Sequence, residues 1–191
     1  MHNLRRAFVL GLAFFASASA VLFVRQHGVA AAPRGSPAPP SLSQVRAGHR
    51  REVFFVLLAG SRCHGIRIPG FKEQLARAKE LVAKQAAAQG AVFASIGIAI
   101  DPISDDGLAM LREFGPFDEV DAGSNWENLG ATAFFWRELP GPGSVPQVLI
   151  VAREVDDNGS DKIVIGPDKL LVRRVGGNAL LAWAKAGAPI T

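Results

Sequence analysis

Cys63 and His64 are adjacent in the loop Gly60-Ser61-Arg62-Cys63-His64-Gly65, with Arg67 close behind, and no Asp or Glu lies between Val53 and Lys72. A thiol becomes a nucleophile only as its thiolate, and cationic neighbours near a helix N-terminus favour that form. Cys63 is therefore a candidate nucleophile. His64 is a candidate proton donor to a leaving thiolate, or a cation that holds the cysteine anionic. The same residues also fit an inert, half-buried loop cysteine beside a solvated histidine. Cys63 is the chain's single cysteine, so a disulfide cycle within one chain is excluded and any exchange must take its second sulfur from outside. One cysteine, and four histidines of which only His64 lies beyond residue 49, also exclude a cysteine-rich zinc site and leave too few ligands for an imidazole metal centre. No metal and no cofactor are expected.

Other polar clusters have plainer readings. Asp101, Asp105 and Asp106 fit a strand end and the first turn of a helix, where carboxylates meet free N–H groups. Asp156, Asn158, Ser160 and Asp161 only loosely resemble a calcium loop, because the glycine and the downstream glutamate are misplaced; a hairpin turn fits better. Trp126, Trp136 and Trp183 sit in apolar helical contexts and are expected in the core. No G-x-S-x-G elbow exists for a serine hydrolase.

The elements that must position the loop follow from periodicity. Residues 51–59 (REVFFVLLA) form a continuous apolar run of strand length, expected to be covered on both faces. Residues 71–89 place Phe71, Leu75, Ala78 and Val82 on one stripe, with Gly90 as the stop. Residues 91–100 read as a second buried strand, so strand, helix and strand make a βαβ unit. Ser104 is expected to cap a helix ending at Gly115-Pro116. A short strand over 119–123, a helix over 125–139, a strand over 147–154 opened by Val145-Pro146, a hairpin partner at 162–165 or 170–175, and a helix over 178–186 complete the order.

Arg5 and Arg6 precede an uncharged run of 18 residues, 7–24, closed by Arg25. That length fits an uncleaved membrane anchor, and Ala18-Ser19-Ala20 also fits a cleaved signal peptide. Residues 27–44 include AAAPRGSPAPPS and read as a Pro/Ala-rich spacer. The expected organisation is an anchor or signal at 1–26, a linker at 27–44 and a folded domain at 45–191. The positive-inside bias places that domain on the extracytoplasmic, periplasmic side, with the lipid bilayer as partner of residues 7–24, or secretes it if the leader is cut. The chain's 191 residues allow one domain with a substantial core. Residues 1–52 hold seven of its 21 Lys and Arg but one of its 17 acids, leaving 14 bases and 16 acids beyond. The basic balance belongs to the leader, so nucleic acid is not an expected partner.

The element order, the Cys63 loop between the first strand and the long helix, the Val145-Pro146 step and the Gly176-Gly177 pair together resemble the thioredoxin-like fold over roughly residues 45–187. The resemblance implies an α/β three-layer sandwich with a mixed central sheet, preceded here by the N-terminal apolar helix and the Pro-rich linker. It implies a redox cysteine in the loop and a cis proline placed against it, with Val145, Pro146 and Arg62 meeting the substrate. The family's usual pair of cysteines two residues apart is absent: Gly60 and Ile66 flank Cys63 at that spacing. A register set by Pro69 instead puts Ser61 and His64 in the two places. Three functions follow as expectations. The first is one-cysteine thiol–disulfide exchange with protein or small-molecule thiols. The second is a non-catalytic binding module on the same fold. The third is a thiol peroxidase resembling peroxiredoxins, against which Gly60 stands where a hydroxyl residue is expected.

Overall fold

A computed structural model of the chain describes residues 48–157 and 162–190. The expected anchor and linker, and the tip of the hairpin turn, lie outside the described residues. Strand β1 (Gly48–Ala59) is followed by a short 3-10 turn (His64–Arg67), helix α1 (Phe71–Ala88), β2 (Val92–Ala99), α2 (Ser104–Phe114) and β3 (Glu119–Ala122). Then come a 3-10 turn (Asn125–Glu127), α3 (Leu129–Ala131) running into a π-helical turn (Thr132–Arg137), β4 (Gln147–Asp157), β5 (Ile163–Ile165), β6 (Lys169–Val175) and α4 (Gly177–Lys185).

The six strands form one mixed sheet in the order β3-β2-β1-β4-β5, with β6 also paired to β4. β1, β2 and β3 run parallel, while β4 lies antiparallel to β1 and to both β5 and β6. Both candidate hairpin partners, 162–165 and 170–175, are thus used. The apolar run of β1 divides by pleat parity, as strand geometry requires. Val53, Phe55 and Leu57 join one core with α1, α2 and α4, whereas Phe54, Val56 and Leu58 join a second with Ala131, Phe135 and Leu139. Two core layers around a sheet make the expected three-layer α/β sandwich. Two consecutive crossovers stepping the same way along a sheet put α1 and α2 on one face. The chain then reverses direction to reach β4, and its connecting segment covers the other face.

Three local expectations change. Residues 125–139 do not form one helix; Asn128 caps α3 by accepting from the Ala131 N–H at 2.7 Å and donates to the Ala99 carbonyl at 2.9 Å. That tie to β2 competes with regular helix, and the π turn absorbs the misfit. Trp183 is buried at 4% exposure, but Trp136 is 45% exposed and Trp126 is half-buried. The Trp126 and Trp136 rings pack on one another at 5.7 Å, and the Trp136 indole donates to the Trp126 carbonyl. This pairing replaces the expected core burial of both. Ser104 is the first residue of α2 rather than its cap, which is Ile103, and its hydroxyl donates to the Ala122 carbonyl at 3.3 Å.

Candidate functional site

The reversal of direction occurs between β1 and β4, so the loop leaving β1 and the loop entering β4 meet at one end of the sheet. Crevices at such switch points are where open α/β sheets place ligands. Cys63 stands at this end as the residue preceding the 3-10 turn, half-buried, its N–H donating to the Gly60 carbonyl at 3.0 Å. Its Sγ donates to the Val145 carbonyl oxygen at 3.2 Å. The Val145–Pro146 peptide bond is cis.

The turn carrying Cys63 is clamped from β2's side. Asp101, 5% exposed at the end of β2, accepts the Ser61 N–H through both carboxylate oxygens at 3.1 and 3.0 Å, and the Ser61 hydroxyl at 2.5 Å. A buried carboxylate is tolerated when several donors satisfy it, and here one residue supplies them all. The Arg67 guanidinium closes the loop by donating to the Ser61 carbonyl at 2.7 Å. On the opposite side the Gly65 backbone packs against the Pro146 ring and the Gly177 backbone. A Cβ on Gly65 would stand 2.5 Å from the Pro146 Cδ, and one on Gly177 would collide with the Gly65 carbonyl oxygen. Gly65, Pro146 and Gly177 therefore form a contact only small residues permit, and the Gly176 N–H donates to the Pro146 carbonyl at 2.8 Å.

Of the residues singled out from sequence, Cys63, Val145 and Pro146 come together. Arg62 and His64 flank the thiol but are exposed, and among the described residues neither has a hydrogen-bond or ion-pair partner. Asp105 and Asp106 occupy the first turn of α2 and Asp101 the end of β2, as expected, and the N–H that Asp101 satisfies is that of Ser61. No group of three or more His, Cys, Asp or Glu among the described residues could hold a metal ion. No described helix is long and apolar enough to cross a membrane. Sequence reasoning missed the Asp101–Ser61 tie and the role of Gly65. Asp101 offered one signal, an acid at the end of an apolar strand. Its partner 40 residues away offered none.

The mixed sheet, the loop cysteine and the cis proline opposite it are the features that the thioredoxin-like resemblance implies for the fold. Among solved structures, BsSco, a member of the Sco family of cytochrome c oxidase assembly proteins in which a disulfide switch has been identified, aligns with 72% of this chain and 80% of its own. The two share 14% sequence identity, with a TM-score of 0.34. No protein-family model and no curated protein matches the sequence.

Proposed function

We propose that this protein is an extracytoplasmic, membrane-tethered or secreted thiol–disulfide exchange protein that works through Cys63 alone. The observation that carries the reading is the 3.2 Å contact between the Cys63 sulfur and the Val145 carbonyl oxygen, beside Pro146. It puts the one thiol against an edge of irregular backbone at an end of the sheet, where an incoming sulfur can approach.

The chemistry runs in two displacements. Cys63 gives up its proton and the thiolate attacks a disulfide R–S–S–R′, forming Cys63–S–S–R and releasing R′–S⁻, which takes a proton from His64 or water. An external thiol then attacks the mixed disulfide, restores the Cys63 thiol and leaves as a new disulfide; that thiol supplies the reducing equivalents. A carbonyl accepts from the S–H but repels a thiolate, so the activated sulfur must turn away from Val145. Arg62 and His64, the exposed residues on either side of Cys63 in the chain, are the groups available to receive it. Residues 7–24 support the membrane or secretory placement by their length and their flanking arginines.

The same S–H donation favours one competitor, the non-catalytic binding module, because it holds the sulfur in its unreactive form. The deciding experiment is incubation of the full-length chain with 2-hydroxyethyl disulfide followed by intact-mass measurement. One adduct per chain, absent in Cys63→Ser and reversed by added thiol, is the expected result. A wild-type chain that stays unmodified over hours sinks the exchange reading in favour of the binding module.

A further inference from the structure

The tryptophan pair is tied to the Cys63 loop from two sides. On one side, Gly143 precedes Val145 by two residues, a chain distance of at most about 7 Å, and a Cβ on Gly143 would stand 3.3 Å from the Trp136 Cη2. The Val145 carbonyl in turn accepts from the Cys63 sulfur. On the other side, Asp101 holds Ser61 through its carboxylate, while its own backbone carbonyl accepts the Asn125 N–H at 3.4 Å. Asn125 immediately precedes Trp126. The two indoles meet at 5.7 Å with their planes 54° apart, and the Trp136 N–H donates to the Trp126 carbonyl. The circuit of contacts closes, so the pair borders the same end of the sheet as the thiol.

Packing does not account for this pair. A tryptophan stabilises a fold by taking its ring out of water, yet Trp136 stays 45% exposed. The turn that delivers Trp126 is strained: Ser124 and Asn125 hold φ of +54° and +55°, a region that L side chains rarely adopt in succession. Strain of this kind persists where surrounding contacts impose it, and it gathers at ligand clamps. The Trp136 N–H is already used, so that residue offers a partner only its ring, which favours an apolar and above all an aromatic side chain. Cys63 takes only sulfur. A polypeptide supplies both, because an extended chain advances about 3.3 Å per residue and two residues cover the gap from Gly143 to Val145. A small aliphatic disulfide has nothing to place on the rings.

We infer that Trp126 and Trp136 form an aromatic platform that selects polypeptide disulfides with an aromatic residue about two positions from the reacting cysteine. The inference rests on Cys63 acting in exchange, and it names the substrate class. The Cys63 thiolate displaces one half of the peptide disulfide, so one S–S bond forms as one breaks. The released half leaves as a thiolate that is protonated by water or His64. The indoles take no part in that step; they set which partner is held while it occurs.

Symmetric disulfides of three capped pentapeptides test it on the full-length chain: Phe-Ala-Cys-Ala-Phe, Ala-Ala-Cys-Ala-Ala and Lys-Ala-Cys-Ala-Lys. Each places its probe residue on both sides of the cysteine, so the direction of binding does not matter. The rate of Cys63 adduct formation, divided by each reagent's rate with free cysteine, is expected to be highest for the phenylalanine peptide, by about tenfold over the alanine peptide, the scale of an aromatic pair. In Trp136→Ala that ratio should fall to near one, and in Trp136→Phe, which keeps a ring, most of it should remain. Equal rates for the phenylalanine and alanine peptides, or a preference that survives Trp136→Ala, overturn the platform and leave exchange standing. A lysine peptide that reacts fastest also overturns it, by showing that the rim selects a cation. Reaction with none of the three removes the exchange reading, and this inference with it.

Discussion

The Cys63 sulfur lies 3.2 Å from the carbonyl oxygen of Val145, a residue 82 positions further along the chain. Neither side chain creates this meeting. It follows from β1 and β4 being antiparallel neighbours, so that the end of one strand adjoins the beginning of the other.

The glycine contact beneath the thiol is expected to be intolerant. In Gly65→Ala the new methyl would sit 2.5 Å from the Pro146 Cδ and 3.3 Å from the Gly177 backbone nitrogen, so one backbone must move. Overpacking of this kind costs about 1–3 kcal/mol. Denaturant unfolding should show that loss, and Cys63 adduct formation should change with it. Gly90→Ala is the contrast: φ is +70° and no atom lies within 4 Å, so its cost arises from backbone strain alone and leaves the Cys63 rate untouched.

Removing the Asp101 carboxylate leaves the Ser61 N–H and hydroxyl without their acceptor. Asp101→Ala should destabilise the fold by about 2–3 kcal/mol, while Ser61→Ala, which removes only the hydroxyl bond, should cost about 1 kcal/mol. Thermal unfolding separates the two. Equal losses would mean that the bonds to the backbone N–H contribute nothing.

The segment covering the second face buries Ala131, Phe135 and Leu139 and leaves Leu129 and Trp136 exposed. Phe135 is fully buried, and Phe135→Ala should cost about 3–5 kcal/mol. Leu129 is 84% exposed, and Leu129→Ser should stay within about 0.5 kcal/mol. A large loss at Leu129 in urea unfolding would show that solvent does not surround it.

Asp168 gives a pH dependence of definite sign. Partial burial raises its pKa above 3.8, against the opposing pull of Arg153, with Glu138 and Glu52 adding to the rise. A raised folded value means that the fold favours the protonated form. Its contribution is therefore fully present below the unfolded value and is lost as pH rises through the folded one. Asp168→Asn should accordingly gain stability over wild type at pH 7, with the gain shrinking towards pH 3. Denaturation midpoints at the two pH values check this, and a constant difference would refute the assignment.

The expected strands and the helices around Leu75, Leu111 and Leu180 were legible because each depends on neighbours a few residues away. Period 3.6 marked α1, unbroken apolar character marked β1 as doubly covered, and glycine or proline marked the ends. The segment 125–139 misled because its apolar residues have helical spacing, while Asn128 is claimed by a β2 carbonyl that local pattern cannot reveal.

For the site, sequence alone determined stoichiometry: a solitary sulfur, a cationic loop around it, and hence the need for an external partner in any exchange. Which groups face that sulfur was decided only by the tertiary structure. Val145, Asp101 and Gly177 reach the Cys63 loop through strand pairing and crossovers spanning tens of residues. Such contacts are fixed by where the chain reverses across the sheet, and no local spacing encodes that reversal.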